Sequence, residues 1–514
     1  MASNTESSPA VLLVHPLDTV VVALRAIAAG ERFCVAGVEF AAVDAYFVAA
    51  DAVTQGHKLA LCGHEVGDVV VKYGQMIGRA SRAIAAGAHV HSHNLSTALA
   101  GELAYVAGGN RGGGSTVAAD EISTWQGYLR EDGRAATRNE IWILPTVGCV
   151  GITAEQIARE AQIRHAGLIA AGRIDGVFAF THPHGCSQLG DDLAGTRALL
   201  AGLATSPNAA GVLVLGLGCE SNQLADLIAV VPEAVRGKLR TLTSQAAGDE
   251  MAEAARLIDE LVGVAAQAER VELPLSALCV GVKCGGSDGF SGLTANPLLG
   301  RFADRLSAAG GRVVLTEIPE IFGAEQALLE RAVSAKVFDD AAGLINGFKR
   351  YYLDQGLPVS ENPSPGNLAG GITTLEEKSL GAVQKGGHAP LVDVIAYGAQ
   401  AVEAGLTLLE APGNDAVSST ALAAAGVGLV LFTTGRGTPL GFPVPTLKIA
   451  SNHGLASAKP HWIDFDAGAV LDGDMAAVDA AFMELILAVA SGKLCAAERG
   501  NQRSIAIWKR GVTL

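Results

Sequence analysis

The stretch WILPTVGC at residues 142–149 is an apolar run that ends in a cysteine, and three later runs have the same form. These are VFAFTHPHGC at 177–186, VLVLGLGC at 212–219 and CVGVKC at 279–284. Their spacing is close to one, one and two strand-plus-helix lengths, and amphipathic stretches such as AEQIAREAQIRHA lie between them. Apolar strands that alternate with amphipathic helices are typical of βαβ units. The sequence therefore predicts an α/β fold with a parallel sheet.

The four cysteines that end these runs are predicted to lie together. The carboxyl ends of parallel strands face one crevice, where ligands bind. The cysteines are Cys149, Cys186, Cys219 and Cys284, and each has polar neighbours in the sequence. A free cysteine is also a common core residue, so any one of them could be structural. The polar surroundings of the whole set favour a functional site.

Composition limits the partners of this chain. Its 514 residues carry a formal net charge of −15 with only 37 lysines and arginines, which opposes nucleic acid or an anionic membrane as the main partner. No apolar run reaches the ~18 residues of a membrane helix, and the first residues, MASNTESSPA, lack the pattern of a secretory signal. We expect a cytoplasmic protein with reduced cysteines and a small-molecule ligand, and a homo-oligomer stays open.

Changes in composition divide the chain into four parts. Residues 1–97 combine valine-rich strands with short alanine-rich stretches that we expect to be helical, as in a small α/β or β-clip module. Residues 98–124 are rich in glycine, serine and acidic residues and are predicted to be a linker. We expect an α/β domain with the Cys/His strand-end loops at 125–335, and a C-terminal α/β region at 336–514.

The segment HVHSHN ends the first part of the chain. Strand alternation places His91 and His93 on one face together with His89, and such imidazoles can chelate a divalent metal ion. An exposed polar strand edge is the alternative. This part is too small to enclose a substrate, so we expect it to cap a site built elsewhere. Lys72 in KYGQMIG could then supply a cation to a substrate carboxylate.

The loop THPHGCSQLGDD gathers two imidazoles, a thiol and two carboxylates. His182, His184 and Cys186 could ligate iron, manganese or zinc, or they could be hydrogen-bonded loop residues. Glu220 in GLGCESNQ could act as a base or a ligand. The loop therefore predicts a metal site or an acid–base site.

Three further stretches are suited to anions. KCGGSDGFSG and NPSPGNLAGG are glycine-rich, so their backbone N–H groups can approach an anion closely. Neither has the order of a phosphate-binding fingerprint. Arg436 lies between glycines in TTGRGTP, and its guanidinium suits bidentate carboxylate binding unless it lies on a plain surface turn.

Motifs along nearly the whole chain resemble those of the altronate and galactarate dehydratase family of sugar-acid dehydratases. The matching motifs are GHKLAL, KYGQMIG, HVHSHN, RNEIWILPTVGCV, HGCSQLGDD, GLGCESNQ, KCGGSDGFSGLTANP, LTEIPEIFGAE, NPSPGNLAGGITTLEEKSLG, TTGRGTPLG and HWIDFDAG. The resemblance implies an N-terminal SAF domain, a large dehydratase region, a requirement for iron(II) or manganese(II), and no organic cofactor. The form CSQLGDD is closer to the altronate branch. The stretch AGVEFAAVDAYFVAAD, residues 36–51, departs from the family pattern.

The resemblance implies a hydro-lyase that converts D-altronate to 2-keto-3-deoxy-D-gluconate in hexuronate catabolism. Galactarate or another aldonic or aldaric acid is the alternative substrate, and a sugar-acid sensor without turnover is a more distant one. A [4Fe–4S] cluster held by three cysteine thiolates is an alternative to a single metal ion, although no close CxxC pair supports it. The expected catalytic residues are His182, Glu220 and Lys283. The expected substrate-binding residues are Lys72, Asn94, Asn362 and Arg436, and the expected metal ligands are His91, His93, His184 and Cys186.

Overall fold

The structure is a computed structural model that describes residues 9–37, 46–106 and 123–514. Most of the predicted linker at 98–124 and part of the unusual stretch at 36–51 lie outside the described residues. No helix among the described residues is long and apolar enough to cross a bilayer.

The N-terminal domain is built from short strands. They are β1 (Val11–Leu13), β2 (Val20–Ala23), β3 (Arg32–Gly37), β4 (Tyr46–Val48), β5 (Lys58–Ala60), β6 (Val69–Lys72), β7 (Gln75–Ala80), β8 (His89–Val90) and β9 (Leu95–Ser96). In the described residues one sheet has the order β4-β3-β1-β2-β5-β8, and a second has the order β6-β7-β9. Strand β2 is fully buried, whereas β6 and β7 expose part of their residues.

The alanine-rich stretches of this domain form turns, so the expectation of helices there is wrong. Gly30 and Gly87 follow these stretches with positive φ angles of 80° and 78°, which reverse the chain after a few residues. A segment this short does not repay the cost of helix nucleation. Gly87 is also required sterically, because a Cβ there would lie 2.1 Å from the carbonyl oxygen of Val48.

The middle of the chain alternates strands and helices. Its elements are β10 (Thr124–Leu129), β11 (Ala135–Ala136), β12 (Glu140–Pro145), α1 (Gly151–Arg164), α2 (Ala166–Ala170), β13 (Gly176–Ala179), α3 (Gly190–Thr205), β14 (Ala209–Gly216), α4 (Leu224–Val230), β15 (Leu239–Thr243) and α5 (Glu250–Ala265). A parallel sheet has the order β13-β12-β14-β15. Helices α1 and α5 cover one face, and α3 covers the other.

The C-terminal part contains a larger parallel sheet. Its elements are β16 (Val271–Pro274), β17 (Cys279–Cys284), α6 (Ala295–Ala308), β18 (Arg312–Leu315), α7 (Glu325–Leu329), α8 (Ala335–Asp354), α9 (Pro365–Ala369), α10 (Leu375–Ala382), β19 (Leu391–Ile395), β20 (Gly405–Leu409), α11 (Asp415–Ala424), β21 (Leu429–Thr434), β22 (Thr446–Ala450), α12 (His453–Ala458), β23 (Phe465–Asp466), α13 (Met475–Ala490) and α14 (Ala496–Arg499). The sheet order is β19-β20-β18-β17-β21-β22-β23.

Strand β17 lies at the centre of this sheet. The chain proceeds from β17 to β18 on one side and later returns to β21 on the other, so the strand order reverses beside β17. In doubly wound sheets such a reversal opens a crevice at the carboxyl ends of the strands. The predicted α/β class with parallel βα units is confirmed.

The middle and C-terminal parts are joined by more than chain continuity. Strand β16 pairs with β10, and Trp125 lies opposite Leu273. The buried guanidinium of Arg138 donates to Glu498 at 2.7 Å and to the carbonyl oxygens of Val489 and Lys493. Strands on both sides of residue 335 belong to the larger sheet, and the predicted domain ranges stay a prediction.

Candidate active site

A small polar cleft lies after the carboxyl end of β17. The loop after β17 supplies Asp288 and helix α10 supplies Lys378, whereas Lys72 and Tyr73 come from the N-terminal domain. The N-terminal domain therefore forms one wall of the cleft, and the loop after β17 and helix α10 form the rest. Tyr73 has a positive φ of 59°, a conformation that costs energy for a non-glycine residue and is often found at functional sites.

A buried thiol and two buried carboxylates lie beside this cleft. Cys284 is the last residue of β17, and Glu317 and Glu320 follow β18 directly. Their ligand atoms all lie within 4.8 Å of one another, so the three side chains could hold a metal ion. The thiol of Cys284 donates to Glu320 at 3.2 Å, and burial, together with Glu320, raises the pKa of Cys284 to about 12.

Lysine ammonium groups surround this triad. Lys385 donates to the Cys284 sulfur at 2.8 Å, and Lys378 donates to Glu320 at 2.8 Å. Lys283 lies 3.0 Å from Glu317 and 2.7 Å from Asp415. Burial opposes its charged form, but the two carboxylates outweigh this effect and raise the pKa of Lys283. A divalent ion at the triad would have to displace ammonium groups that already neutralise the carboxylates.

A second ion cluster joins the N-terminal domain to helix α10. Glu377 accepts from Lys58 and from Lys72, each at 2.8 Å, and all three side chains are buried. Burial raises the pKa of Glu377, but the two ammonium groups outweigh it and lower that pKa to about 2. Burial also lowers the pKa of Lys58 to about 8. The carboxylate is therefore ionised, and it fixes the position of Lys72 at the cleft.

The segment 362–378 contacts both the N-terminal domain and the loop after β17. Its carbonyl oxygens accept from Lys58 at Gly371 and from His91 at Leu368, and the N–H of Gly289 donates to Gly370 at 2.7 Å. These contacts explain its glycines, because a Cβ at Gly371 would lie 2.4 Å from the oxygen of Gly56. The predicted anion loop is thus a contact segment.

Four histidines of the N-terminal domain lie together against this segment. His57, His89, His91 and His93 have ring centroids 5.1–5.4 Å apart. His57 donates from Nε2 to the oxygen of Ala369 at 3.4 Å and accepts at Nδ1 from His89 at 3.0 Å. Burial and the neighbouring rings lower the pKa of His89 to about 4. The ring of His89 is therefore neutral at neutral pH, which is the form that binds metal ions.

Asp288 has one oxygen held in place and a second that is less engaged. Its Oδ1 accepts from the hydroxyls of Ser291 and Ser451 at 2.9 and 2.8 Å, whereas Oδ2 accepts from Asn452 at 2.9 Å. Burial raises the pKa of Asp288, although these hydrogen bonds partly offset it. A carboxyl group with a raised pKa at a cleft is suited to accept a proton.

The structure places several predicted residues near this cleft. Lys72 lines it, and Lys283 lies in the ion network beside it. Asn362 accepts from Lys378 at 2.9 Å. Arg436 is exposed after β21 and lies close to Gly286. A Cβ added at Gly286 would lie 3.2 Å from the Cβ of Arg436. Among the described residues, no hydrogen bond or ion pair engages its guanidinium.

The side chain of Asn94 is bound to the backbone of its own turn. Its amide donates to the carbonyl oxygen of His89 and accepts from the N–H of His91, each at 2.9 Å, and the side chain is buried. It shapes the turn that carries the histidines, and both ends of the amide are engaged.

The predicted catalytic residues His182 and Glu220 lie at the smaller sheet, and their polar atoms are engaged. His182 donates from Nε2 to the oxygen of Pro145 at 2.9 Å and accepts at Nδ1 from the N–H of His184 at 3.2 Å. Burial lowers its pKa to about 4. Glu220 accepts from the Thr146 hydroxyl at 2.6 Å and from two backbone N–H groups.

The predicted metal ligands fall into two groups. His91 and His93 lie in the histidine cluster, whereas His184 and Cys186 lie in a loop that contacts the last residues of the chain through Ser187. Among the described residues, no hydrogen bond or ring contact joins the two groups. The structure therefore does not bring the four predicted ligands together as one set.

Sequence reasoning missed most of the buried ion network. The missed residues are His57, Lys58, Asp288, Glu317, Glu320, Glu377, Lys378 and Lys385. The available signal was the high charge of two stretches, LTEIPEIFGAE and TTLEEKSLG, within otherwise apolar surroundings. Helix α10 buries Glu376, Glu377 and Lys378 in succession, which is unusual unless each charge is paired.

Comparison with family models covers the three parts of the chain. The model described as "Altronate/galactarate dehydratase SAF domain" matches residues 9–98. The "D-galactarate dehydratase/Altronate hydrolase, second domain" matches residues 127–266, and the "D-galactarate/Altronate dehydratase, C-terminal" matches residues 275–513. A small β domain followed by two parallel α/β sheets is the architecture of these matched parts.

Curated proteins match over nearly the full length. A Bacillus subtilis (strain 168) protein named altronate dehydratase is 47% identical over 503 residues, 98% of this chain and 99% of that protein. An Escherichia coli (strain K12) protein of the same name is 45% identical over the same shares. The galactarate dehydratase (L-threo-forming) of Escherichia coli (strain K12) is 30% identical over 93% of this chain and 92% of its own length. This chain belongs to the D-galactarate/altronate dehydratase family, and the predicted family with its N-terminal SAF domain is confirmed.

Proposed function

We propose that the protein is a hydro-lyase that removes water from D-altronate to give 2-keto-3-deoxy-D-gluconate. Two relatives at 45% and 47% identity over almost the whole chain bear the name altronate dehydratase, whereas the galactarate dehydratase is 30% identical. The cleft between the SAF domain and the large sheet carries the proposal, because it combines cations for a carboxylate with a carboxyl group for proton transfer. Galactarate is the second substrate to test.

The reaction requires a way to stabilise negative charge on the substrate carboxylate. Removing the hydrogen α to that carboxylate creates an enediolate, and expelling the neighbouring hydroxyl completes the elimination. Lys72 and Lys378 line the cleft, and we propose that they bind the carboxylate together with Arg436. Fixed cations that face the developing charge lower the barrier because they need no reorganisation during the reaction.

We assign the proton-accepting role to Asp288. Its Oδ1 is anchored by two hydroxyls and its Oδ2 accepts one hydrogen bond from Asn452, so we propose that the remaining lone pair of Oδ2 takes the proton. Tyr73 lines the opposite wall and keeps its proton, because burial raises the pKa of its hydroxyl. We propose that this hydroxyl protonates the departing group. Since the carboxylate form of Asp288 is the active one, kcat/KM should rise with pH through its raised pKa.

The family resemblance implies a divalent metal ion, iron(II) first and manganese(II) second. The histidine cluster offers the neutral ring of His89, whose Nδ1 keeps a free lone pair when its Nε2 donates to His57. Among the described residues its nitrogens do not lie within 4.8 Å of one another as a group of three, so the rings must move closer together to share one ion. We propose His89, His91 and His93 as ligands, with His57 positioning His89. When bound, the ion supplies Lewis-acid stabilisation of developing negative charge. The Cys284 triad is the competing site, and its lysines count against it.

The test is an assay under reducing conditions with iron(II) or manganese(II) against D-altronate, galactarate and other aldonic and aldaric acids. We expect 2-keto-3-deoxy product from D-altronate, and chelation should stop turnover reversibly. Asp288→Asn should lower kcat by about 100- to 10,000-fold, the usual contribution of a general base. The exposed Asp191→Asn is the matched control and should leave kcat unchanged.

Three outcomes would change this assignment. Binding of a sugar acid without turnover would indicate a sensor. Turnover of galactarate in preference to D-altronate would identify galactarate as the substrate. If Glu320→Gln loses the metal and His89→Gln retains it, the metal site is the Cys284 triad and not the histidine cluster. The predicted cytoplasmic location and oligomeric state stay predictions.

A further inference from the structure

The smaller parallel sheet carries a group of thiols outside the cleft. Cys149, Cys186 and Cys219 follow β12, β13 and β14, three adjacent strands of that sheet, at their carboxyl ends. All three are exposed free cysteines. Of the other cysteines whose exposure the structure describes, Cys62 is exposed, and Cys279, Cys284 and Cys495 are buried. Cysteine is among the residues most often buried, so three exposed thiols along one sheet edge call for an explanation.

Hydrogen bonds hold the three cysteine loops against one another. Gly148, next to Cys149, donates to the carbonyl oxygen of His184 at 2.8 Å. Asn222, from the Cys219 loop, donates to the carbonyl oxygen of Gly185 at 2.9 Å, and its amide donates to Thr146 at 3.1 Å. Each loop therefore contacts a neighbour within a few residues of its cysteine.

This close approach depends on glycine and on strained backbone. A Cβ at Gly185 would lie 2.1 Å from the carbonyl oxygen of Thr146, so no other residue fits there. Ser187, directly after Cys186, has a positive φ of 55°. Non-glycine residues in this region cost energy and cluster at functional sites. The chain thus carries strain on both sides of Cys186, where a simple surface loop would need none.

Cys149 lies beside the N-terminus of a helix. The cysteine lies in a short turn at Gly148–Val150 that leads directly into α1, a helix of 14 residues. No acidic side chain occupies the first turn of α1, and no side chain caps it. The positive end of the helix dipole stabilises negative charge next to it, as on a bound cluster with thiolate ligands.

The spacing of the thiols discriminates between ligands. A single ion with metal–sulfur bonds of about 2.3 Å needs three sulfur atoms within roughly 4 Å of one another. Among the described residues, the one group of three ligand atoms within 4.8 Å is Cys284, Glu317 and Glu320, so the three exposed thiols are more widely spaced. A cubane cluster holds its thiolates on different iron atoms and therefore accepts a wider triangle.

We propose that Cys149, Cys186 and Cys219 bind a [4Fe–4S] cluster, with the fourth iron left without a cysteine. The cluster would be received preassembled, and the three thiols would release three protons to solvent as their sulfurs bind iron. The site differs from the histidine cluster and from the cleft, so it goes beyond the proposed function. Elimination at the cleft and cluster binding at the smaller sheet can each fail without the other.

The test is to purify the full chain without oxygen from iron-replete cells and to measure iron, acid-labile sulfide and visible absorption. We expect about four sulfides per chain with matching iron, and a broad absorption band that bleaches on reduction. Cys149→Ser, Cys186→Ser and Cys219→Ser should each lose most of the sulfide. Cys62→Ser, which changes the exposed cysteine of the SAF domain, is the matched control and should keep it all.

Two results would overturn the proposal. Wild-type protein that contains iron or zinc but no labile sulfide would show that no cluster is bound. Full sulfide content in the three serine variants would show that the cluster lies elsewhere. Because the three side chains are exposed, circular dichroism and melting should match those of the wild type. A loss of sulfide is then a loss of ligands and not of the fold.

Discussion

Arg436 presents an exposed guanidinium beside the cleft with no hydrogen bond or ion pair in the described part of the chain. Its neighbour Gly286 lies after β17, so the arginine stands at the edge where the substrate carboxylate is proposed to bind. Arg436→Lys keeps the positive charge but loses the planar guanidinium that can donate to both oxygens of a carboxylate. We expect kcat/KM to fall by about ten- to a hundredfold, from the ~1.5–3 kcal/mol of a charged hydrogen bond.

Steady-state kinetics and metal analysis of the variant give the measurement. Metal content and melting temperature should stay at wild-type values. Arg82→Lys, an exposed arginine of the SAF domain, is the control and should not change kcat/KM. Wild-type kinetics in Arg436→Lys would place this side chain on an ordinary surface turn.

Single residues were predictable where local sequence context was distinctive. Arg436 lies between glycines in a short polar turn, and Lys72 ends β6 two residues before Gly74. The structure places both at or beside the cleft. Glu377 was not predictable, because its meaning depends on Lys72, which lies 305 positions away in the sequence. The role of Asp288 was not predictable, since nothing in its local sequence shows that Ser451 would anchor it.

Helix α10 is the element that fixes the SAF domain to the cleft. Glu377→Gln would leave the buried ammonium groups of Lys58 and Lys72 without a countercharge, and breaking a buried pair in this way costs about 3–5 kcal/mol. Chemical denaturation should therefore show a large loss of stability. Glu376→Gln is the matched control, since Glu376 accepts only from Thr97 and Ala98, which a neutral amide can still satisfy.

The same helix gives a pH dependence with a defined sign. Lys58 and Lys72 lower the pKa of Glu377 from 4.5 to about 2. A lowered folded-state pKa stabilises the fold above the unfolded value, and this contribution is lost as the pH falls through the folded value. Acid titration should show wild-type stability falling between pH 4.5 and about 2 more steeply than that of Glu377→Gln. Parallel titration curves would contradict the ion cluster.

At the level of elements, the repeat of apolar runs was sufficient to predict the parallel sheets. The period of strand plus helix is a local property, so β12 to β15 and β17 could be placed from their own residues. The division of the four cysteines between two sheets was not predictable. Cys284 ends a strand of the larger sheet, whereas the other three cysteines follow strands of the smaller one. Between them the chain leaves the smaller sheet, pairs β16 with β10, and begins the larger sheet at β17.

The whole molecule depends on close contact between the SAF domain and the loop after β17. A Cβ at Gly289 would lie 2.0 Å from the carbonyl oxygen of Gly56, so Gly289→Ala must push the two apart. A displacement of about 1 Å at a catalytic site can cost roughly a hundredfold in rate. We expect kcat to fall by at least that factor while the circular dichroism of the two large sheets is preserved.

The control for this variant is Gly263→Ala. Gly263 lies in α5 with open space around its Cβ position, so the same change there should leave kcat unchanged. Wild-type activity in Gly289→Ala would mean that the SAF domain does not contribute to the cleft. The histidines and Lys72 would then be structural parts of the N-terminal domain.

The pairing of β10 with β16 has a consequence for how members of this family can exchange parts. The matches to the second and C-terminal families end at residue 266 and resume at residue 275, which makes the gap look like a natural point of recombination. Yet β10 and β16 are neighbours in one sheet, and Arg138 is buried against Glu498. A hybrid gene joined in the gap would bring together strands and charges that had not been selected to fit. We therefore expect residues 124–514 to be exchanged as one unit.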